Sequence, residues 1–405
     1  MVPTTAMPIQ GQPTHTNDMF LAATPSDRIL SIQSHVSFGY VGGKAAVFPL
    51  QCMGYDVDVV NTVNFSNHSG YGDFGGTRTT AEELTRLFNL MEQSGVLIPG
   101  RLLTGYIPNA DSLGAVHELV QKLKTANANL LYLLDPVIGD AGKVYVAENC
   151  VPLYRQMLPL ATIITPNWFE VEVLTEIPLI DLPSLRAALH KLHKIYQVPN
   201  VVISSIPLTK LFTSLPSYLL PPTPTQLTPG TSFTNEINKP LDEEPPYLLC
   251  MASSINGDDD LGGGPLSTVY ASCVPLIPGY FSGVGDLFSA LLLGHFKLTQ
   301  SVVSCPSSPP SAPPLSPDLS SQSFLAHATS HALSKTHDIL TLTHESASLL
   351  DLTSSDDELD AREPGRMNRR MKGRELRLIQ GQEVFRRKDW DGVKRMATWE
   401  GFWKD

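Results

Sequence analysis

The sequence predicts an α/β fold, a three-layer α/β/α sandwich around a mostly parallel sheet. Three observations predict it: short apolar runs recur along the chain, segments of helical period separate them, and polar clusters follow several of the runs. The runs cover 29–33, 57–63, 102–105, 130–135, 162–165 and 201–205. Several are β-branched or continuously apolar, as strands covered on both faces must be. Between them, Leu113, Val116, Val120 and Leu123 recur every three or four residues and share one helical face. Leu185, Leu189, Leu192 and Tyr196 do the same, with Pro183 near the helix start, where its missing N–H costs nothing. This alternation implies parallel strands joined by right-handed crossovers. Segment 43–53 has a helical pattern although Pro49 should kink or end it.

Composition sets the outer limits. The chain has 405 residues, of which 42% are hydrophobic, enough to bury a sizeable core. A net charge of −11 argues against a nucleic-acid binder, which would show a basic face. Five cysteines stand at 52, 150, 250, 273 and 305. Their odd number and the lack of a CxxC pair argue against a disulfide framework or a structural zinc, and for a reducing compartment. No run of eighteen apolar residues occurs, so no membrane-spanning helix and no membrane partner is expected.

Residues 1–27 carry neither Lys nor Arg and no apolar run, so they lack the marks of a secretory or transit segment. They are expected to form a disordered tail before a folded domain spanning 28–405. Two low-complexity insertions, 207–246 and 304–322, are too rich in Ser, Pro and Thr to pack, so exposed loops are expected. Segment 351–373, first acidic and then basic, is expected to be a variable linker. Beyond it, Lys and Arg alternate with Trp390, Trp399 and Trp403, the pattern of a solvated helix lying on the domain.

The chemistry concentrates in three places. Gly283-Val284-Gly285-Asp286 precedes the apolar run 287–293. A glycine turn opening a helix leaves backbone N–H groups unpaired at the positive end of the dipole, a natural anion site. An Asp in the first turn can take a proton from an attacking hydroxyl, and both parts suit phosphoryl transfer. The same four residues also fit a plain helix cap.

Asp135-Pro136-Val137-Ile138-Gly139-Asp140 follows the run 130–135, where ligands bind in parallel sheets. Two carboxylates on that turn suit Mg²⁺ beside nucleotide phosphates, and turn chemistry explains the same composition. Thr165-Pro166-Asn167-Trp168-Phe169-Glu170 follows the next run, with Asn167 and Glu170 at capping-box spacing. At the front lie Ser31–His35 and Asn64–Tyr71, whose hydroxyls and amides suit a small polar heterocycle walled by Phe65 or Tyr71. His35 and His68 have no metal-ligand spacing and are taken as structural.

Taken together, SIQSHVSFGYVGGKAAVFPLQCMGYDVD, NFSNHSGYGDF, LLTGYIP, LDPVIGDAGKVYV, IITPNWFEVEVLT, VVISS and GVGDLFSALLL resemble the pyridoxal kinases of the ribokinase superfamily. They stand in that family's order over roughly residues 28–297, and ELRLIQGQE resembles its closing segment. The front pair, SIQSHV with FSNHSGY, separates this branch from the sugar kinases, which share the GxGD turn.

The resemblance implies a ribokinase-like sandwich that phosphorylates the 5′-hydroxymethyl group of pyridoxal, pyridoxine and pyridoxamine with ATP and Mg²⁺, in vitamin B6 salvage. It implies a K⁺ or Na⁺ site, a homodimer, and a cytoplasmic location that extends to the nucleus. Asp286 would be the base, and Gly283, Val284 and Gly285 the anion hole. Ser34 and Ser69 would contact the ring, with Val63, Phe65 and Tyr106 shaping its pocket. Asp135 and Glu170 would organise metal and water at the phosphates, Asp140 would lie nearest Mg²⁺, and Thr165 and Ser204 would flank the monovalent cation. Ser204 and Ser205 would approach the phosphates of ATP, and Tyr145 would cover the nucleotide from a mobile loop.

Val284 stands where relatives often carry Thr, a modest change if backbone N–H groups bind the anion. The alternatives are a hydroxymethylpyrimidine or sugar kinase of the same superfamily, or a silent binding relative. The presence of Asp286 weighs against the last.

Overall fold

The structure is a computed structural model that describes residues 27–140, 142–208, 215–220, 247–255, 265–297, 323–348, 356–387 and 392–404. All but Asp27 of the expected tail over 1–27, most of the insertion at 207–246, all of that at 304–322, and Trp390 lie outside the described residues.

The strands are β1 (Arg28–Val36), β2 (Asp56–Phe65), β3 (Gly76–Arg78), β4 (Arg101–Thr104), β5 (Leu131–Leu134), β6 (Gly139–Asp140), β7 (Lys143–Val144), β8 (Ile163–Ile164), β9 (Asn200–Pro207), β10 (Tyr247–Ile255), β11 (Ser267–Pro275) and β12 (Ala397–Thr398). The helices are α1 (Gly43–Cys52), α2 (Ala81–Gln93), α3 (Ala110–Ala126), α4 (Cys150–Met157), α5 (Trp168–Thr175), α6 (Leu182–His190), α7 (Val284–His295), α8 (Phe324–Ser348), α9 (Asp356–Arg362), α10 (Arg366–Gly373) and α11 (Gln382–Arg386).

Among the described residues, ten strands form one sheet in the order β12-β11-β10-β9-β8-β5-β4-β1-β2-β3. The six strands from β2 to β9 in that order run parallel. All six apolar runs of the sequence fall in this block. At the flanks the pairing turns antiparallel, β3 on β2 and β10, β11 and β12 beyond β9. The sequence pattern did not reveal these antiparallel edges.

Alternate residues of each strand serve opposite faces. On β5, Tyr132 and Leu134 join a core with Val116 and Val120 of α3, Tyr154 of α4, and Leu174 of α5. Leu131 and Leu133 point the other way, into a core with Leu50 of α1, Leu291 of α7 and Leu325 of α8. Two cores separated by one sheet make the three layers, the arrangement that strands buried on both faces require.

Several helix starts follow their caps. Thr80 and Glu83 form a capping box at α2, Asn167 and Glu170 at α5, and Asp181 and Ser184 at α6, while Asn109 caps α3. Pro49 lies in the last turn of α1, so the helix runs through it and ends at Cys52. Every residue of α7 from Leu287 to Gly294 is buried, because α1 and α8 cover the faces the sheet does not.

Two expectations change. The part of 351–373 that is described is two short helices, α9 and α10, rather than a linker. The acidic and basic halves pair: Asp360 takes Arg366 at 2.7 Å and also Arg370, and Asp356 takes Arg374 at 2.5 Å. The last residues are not a solvated helix. β12 extends the sheet, Trp399 and Phe402 are buried in the core, and Trp403 Nε1 donates to Ser267 O at 2.9 Å. Their aromatic area outweighs the interleaved charges. Among the described residues no helix is long and apolar enough to cross a membrane.

Candidate active site

Parallel strands end on one edge of the sheet, so their carboxyl ends gather the polar residues that follow them. Ser34 lies near the end of β1, Val63 and Phe65 at the end of β2, and Tyr106 just beyond β4. Asp135 follows β5, Thr165 follows β8, and Ser204 and Ser205 sit within β9. A β-bulge between Gln33 and Ser34 sets Ser34 opposite Val63 and re-aims the strand end. Val36, Val63 and Phe65 form a small separate core, closed by Val41 and Tyr106. Thr62 Oγ1 donates to Tyr106 O at 2.7 Å and fixes that wall.

The glycine turn meets this front wall. Gly283 is the N-cap of α7 in the left-handed region, with φ of 80° and no capping side chain. A Cβ there would lie 2.0 Å from Tyr40 O, so only glycine lets the turn lie against the loop after β1. Asp286, part-buried in the first turn of α7, accepts the N–H of Gly42 at 2.7 Å. Gly42 is also at positive φ, and a Cβ on it would lie 2.2 Å from both the carbonyl and the hydroxyl of Ser34. Ser34 and Asp286 are thus two sides of one glycine. Burial raises the Asp286 carboxyl above its ordinary value, and the Gly42 N–H opposes the rise.

A second carboxylate stands close behind. Asp135 is buried and accepts Ser289 Oγ at 2.9 Å, and Ser289 also shares a hydrogen bond with Thr165 Oγ1 at 2.8 Å. Burial first and Asp286 second push its carboxyl up to about 8. Glu170, also buried, accepts Ile138 N–H at 2.9 Å, Gly139 N–H at 3.3 Å and Asn167 N–H at 2.9 Å. Burial and then Asp135 raise Glu170 well above its ordinary range, against those three N–H groups.

Asn167 Nδ2 donates to Gly139 O at 2.8 Å, so the capping residue also anchors the β6–β7 hairpin that carries Asp140. Tyr145 follows the hairpin, exposed, with its N–H on Ile138 O at 2.7 Å. Ser204 N–H donates to Pro166 O at 3.0 Å, which holds β9 beside the turn before α5. Ser69 is exposed on the short turn after β2.

Three features were missed by the sequence reading. Ser289 was visible as the lone polar residue within 287–293. Gly42 belongs to a Gly pair that gave no hint of its partner. Glu375, far along the chain, joins the front loops and had no local signal beyond the ELRLIQGQE segment.

The fold and this strand-end site define a ribokinase-like small-molecule kinase. A family model described as phosphomethylpyrimidine kinase matches residues 100–217, a stretch that holds Asp135, Glu170 and Ser204 but neither the front motifs nor the glycine turn. Longer alignments are more informative. The chain is 38% identical over 275 residues to the pyridoxal kinase of Arabidopsis thaliana, covering 67% of this chain and 75% of that protein. It is 36% identical over 271 residues to the pyridoxal kinase of Ovis aries, covering 66% and 76%. The solved pyridoxal kinase of Leishmania donovani in complex with ADP and pyridoxamine superposes with a TM-score of 0.66 at 27% identity, over 92% of this chain and 99% of that one. The chain belongs to the pyridoxal kinase family.

Proposed function

We propose that this chain transfers the γ-phosphoryl group of ATP to the 5′-hydroxymethyl group of pyridoxal, and also of pyridoxine and pyridoxamine. One observation carries the reading: Gly42 joins Ser34, in the front motif that distinguishes this branch, to Asp286 of the glycine turn. A single small molecule can therefore touch both. Solved relatives hold ADP with pyridoxamine or with pyridoxine.

Asp286 takes the proton of the hydroxyl as the oxygen attacks the γ-phosphorus. The bond between that phosphorus and the bridging oxygen breaks, and ADP leaves with the electron pair. The raised affinity of Asp286 for a proton suits this task. N–H groups of Gly283, Val284, Gly285 and Asp286 face the developing charge at the N-terminus of α7. Val63, Phe65 and Tyr106 wall the ring, with Ser34 and Ser69 hydrogen-bonding its substituents. Ser204 and Ser205 approach the phosphates, and Tyr145 covers the nucleotide.

The residues fit a divalent cation. Asp135 and Glu170 are buried carboxylates whose hold on protons is raised by burial and by a neighbouring acid, Asp286 for the first and Asp135 for the second, a cost that a nearby positive charge would relieve. Among the described residues no group of three or more His, Cys, Asp or Glu makes a metal cage. That suits Mg²⁺, which takes one or two carboxylates, waters and substrate phosphates. Bound there, Mg²⁺ would neutralise phosphate oxygens, with Asp140 nearest and Asp135 and Glu170 acting through water. K⁺ or Na⁺ would use the oxygens around Thr165 and Ser204.

The homodimer rests on family resemblance, and light scattering tests it. A cytoplasmic location, extending to the nucleus, rests on resemblance and on the unpaired thiols of Cys52, Cys150, Cys250 and Cys273; fractionation tests it. The substrate reading is tested by supplying ATP and Mg²⁺ with each B6 vitamer, hydroxymethylpyrimidine and ribose. B6 phosphates are expected, and turnover of the pyrimidine alone would overturn it.

A further inference from the structure

Glu375 lies just after α10, 335 residues from Tyr40, and is buried among the front loops. Three donors converge on it. Tyr40 N–H donates to Oε2 at 2.8 Å, Tyr71 OH donates to Oε1 at 2.9 Å, and His68 Nε2 lies 3.1 Å from Oε1. Gly70 N–H donates to His68 Nδ1 at 3.1 Å, so the ring proton belongs on Nε2 and points at the carboxylate. Ser282 Oγ lies 3.2 Å from the same Nδ1, which brings in the segment before the glycine turn.

The neighbour of Glu375 holds that segment too. The Arg374 guanidinium lies 5.9 Å from the centre of the Phe281 ring, and a Cβ on Gly279 would come within 3.0 Å of it. A Cβ on Gly39 would lie 2.4 Å from Glu375 Oε1, so the loop after β1 presses directly on the carboxylate. Burial alone would raise the Glu375 carboxyl. The hydrogen bonds from His68, Tyr71 and Tyr40 outweigh burial and hold it below its ordinary value, as a charged acceptor.

We propose that Glu375 is a positioning residue for phosphoryl transfer. It ties the loop 39–42, the turn 68–71 and, through His68 and Ser282, the segment 279–283 into one unit. The first of these delivers Gly42 N–H to Asp286, the second carries Ser69, and the third opens α7. Glu375 touches none of the residues assigned to ATP. Its loss should therefore act on the vitamin side and on the chemical step, not on nucleotide affinity. The proposal rests on the kinase reading above.

The experiment compares the full chain with Glu375→Gln and Tyr71→Phe. Glutamine is nearly isosteric but places an amide donor against donors, so one tie must break. Tyr71→Phe removes a single donor and keeps the carboxylate. For Glu375→Gln, kcat should fall by up to about 10²-fold. KM for pyridoxal should rise, and KM for ATP should stay within about twofold of wild type, the shift expected when only one substrate's binding is disturbed. Tyr71→Phe should move the same two quantities less.

Amide hydrogen exchange without substrates should speed up at 40–42 and 68–71 in Glu375→Gln, while α3 is unchanged. Unchanged exchange in those loops overturns the tie whatever the activity. Near-normal kcat, or a fall in kcat that only tracks lost folded protein in a melting curve, overturns the positioning role. Absence of B6 turnover in the wild-type chain would instead sink the kinase reading, with the exchange measurement still judging the tie.

Discussion

Glu170 and Asp286 occupy the same place in two helices: each is the third residue after the N-cap, in the first turn. Their fates differ because the caps differ. Asn167 offers a side-chain oxygen to the N–H of Glu170, and Glu170 folds back on the N–H of Asn167 and the turn beside it. Gly283 offers no side chain, and its positive φ turns the chain toward Tyr40. Asp286 accepts instead from Gly42, in another loop. A carboxylate is absorbed by its own cap in one case and aimed across the site in the other. The comparison shows that a helix-start acid turns to a partner in another loop when the cap is a glycine that offers no side chain.

The strongest break of this comparison is Asp286→Asn. It keeps an oxygen for Gly42 N–H but cannot take a proton, so kcat should fall by about 10²–10⁴-fold with nucleotide binding kept. Near-normal turnover would place the base elsewhere. Glu375→Gln comes next, since it disturbs where Gly42 stands rather than the carboxylate itself.

Asp135 lies electrostatically between the compared acids, and its pH dependence sharpens the contrast. Its folded carboxyl is pushed up to about 8 from an ordinary 3.8, by burial and then by Asp286. The folded state therefore holds a proton that the unfolded state releases, so stability from this group is full below about 4 and declines as pH rises toward 8. Asp135→Asn should melt above wild type without ligands, with the gap widening from about pH 5 to 8 and level beyond. A gap that does not change with pH would remove the buried-proton account. The same variant should lose the stabilisation that wild type gains from Mg²⁺ and ATP together at high pH.

The smallest effect belongs to the capped side. Asn167→Ala deletes the α5 cap and its bond to Gly139 O, and should cost about 1 kcal/mol in a denaturant titration, within the roughly 0.5–2 kcal/mol that helix caps contribute. No change in stability would show that the hairpin does not depend on α5.

Much of this was legible before any coordinates. The six parallel strands announced themselves as short, largely apolar runs separated by helical pattern, and Asn167 with Glu170 because a cap acts within four residues. The antiparallel strands β10 and β11 of one flank escaped because they follow a low-complexity stretch and pair with neighbours rather than with a helix rhythm. The acidic and basic halves of 351–373 looked like a linker because charge composition does not say which Arg meets which Asp.

Local interactions, then, were determined by the sequence itself: the strand pattern, the caps and the glycine turn, each set by backbone geometry within a few residues. Tertiary structure alone decided which distant groups meet. Gly42 reaches Asp286 across 244 residues and Glu375 reaches Tyr40 across 335. Such contacts depend on how two cores press against one sheet, and no short stretch of sequence contains that information.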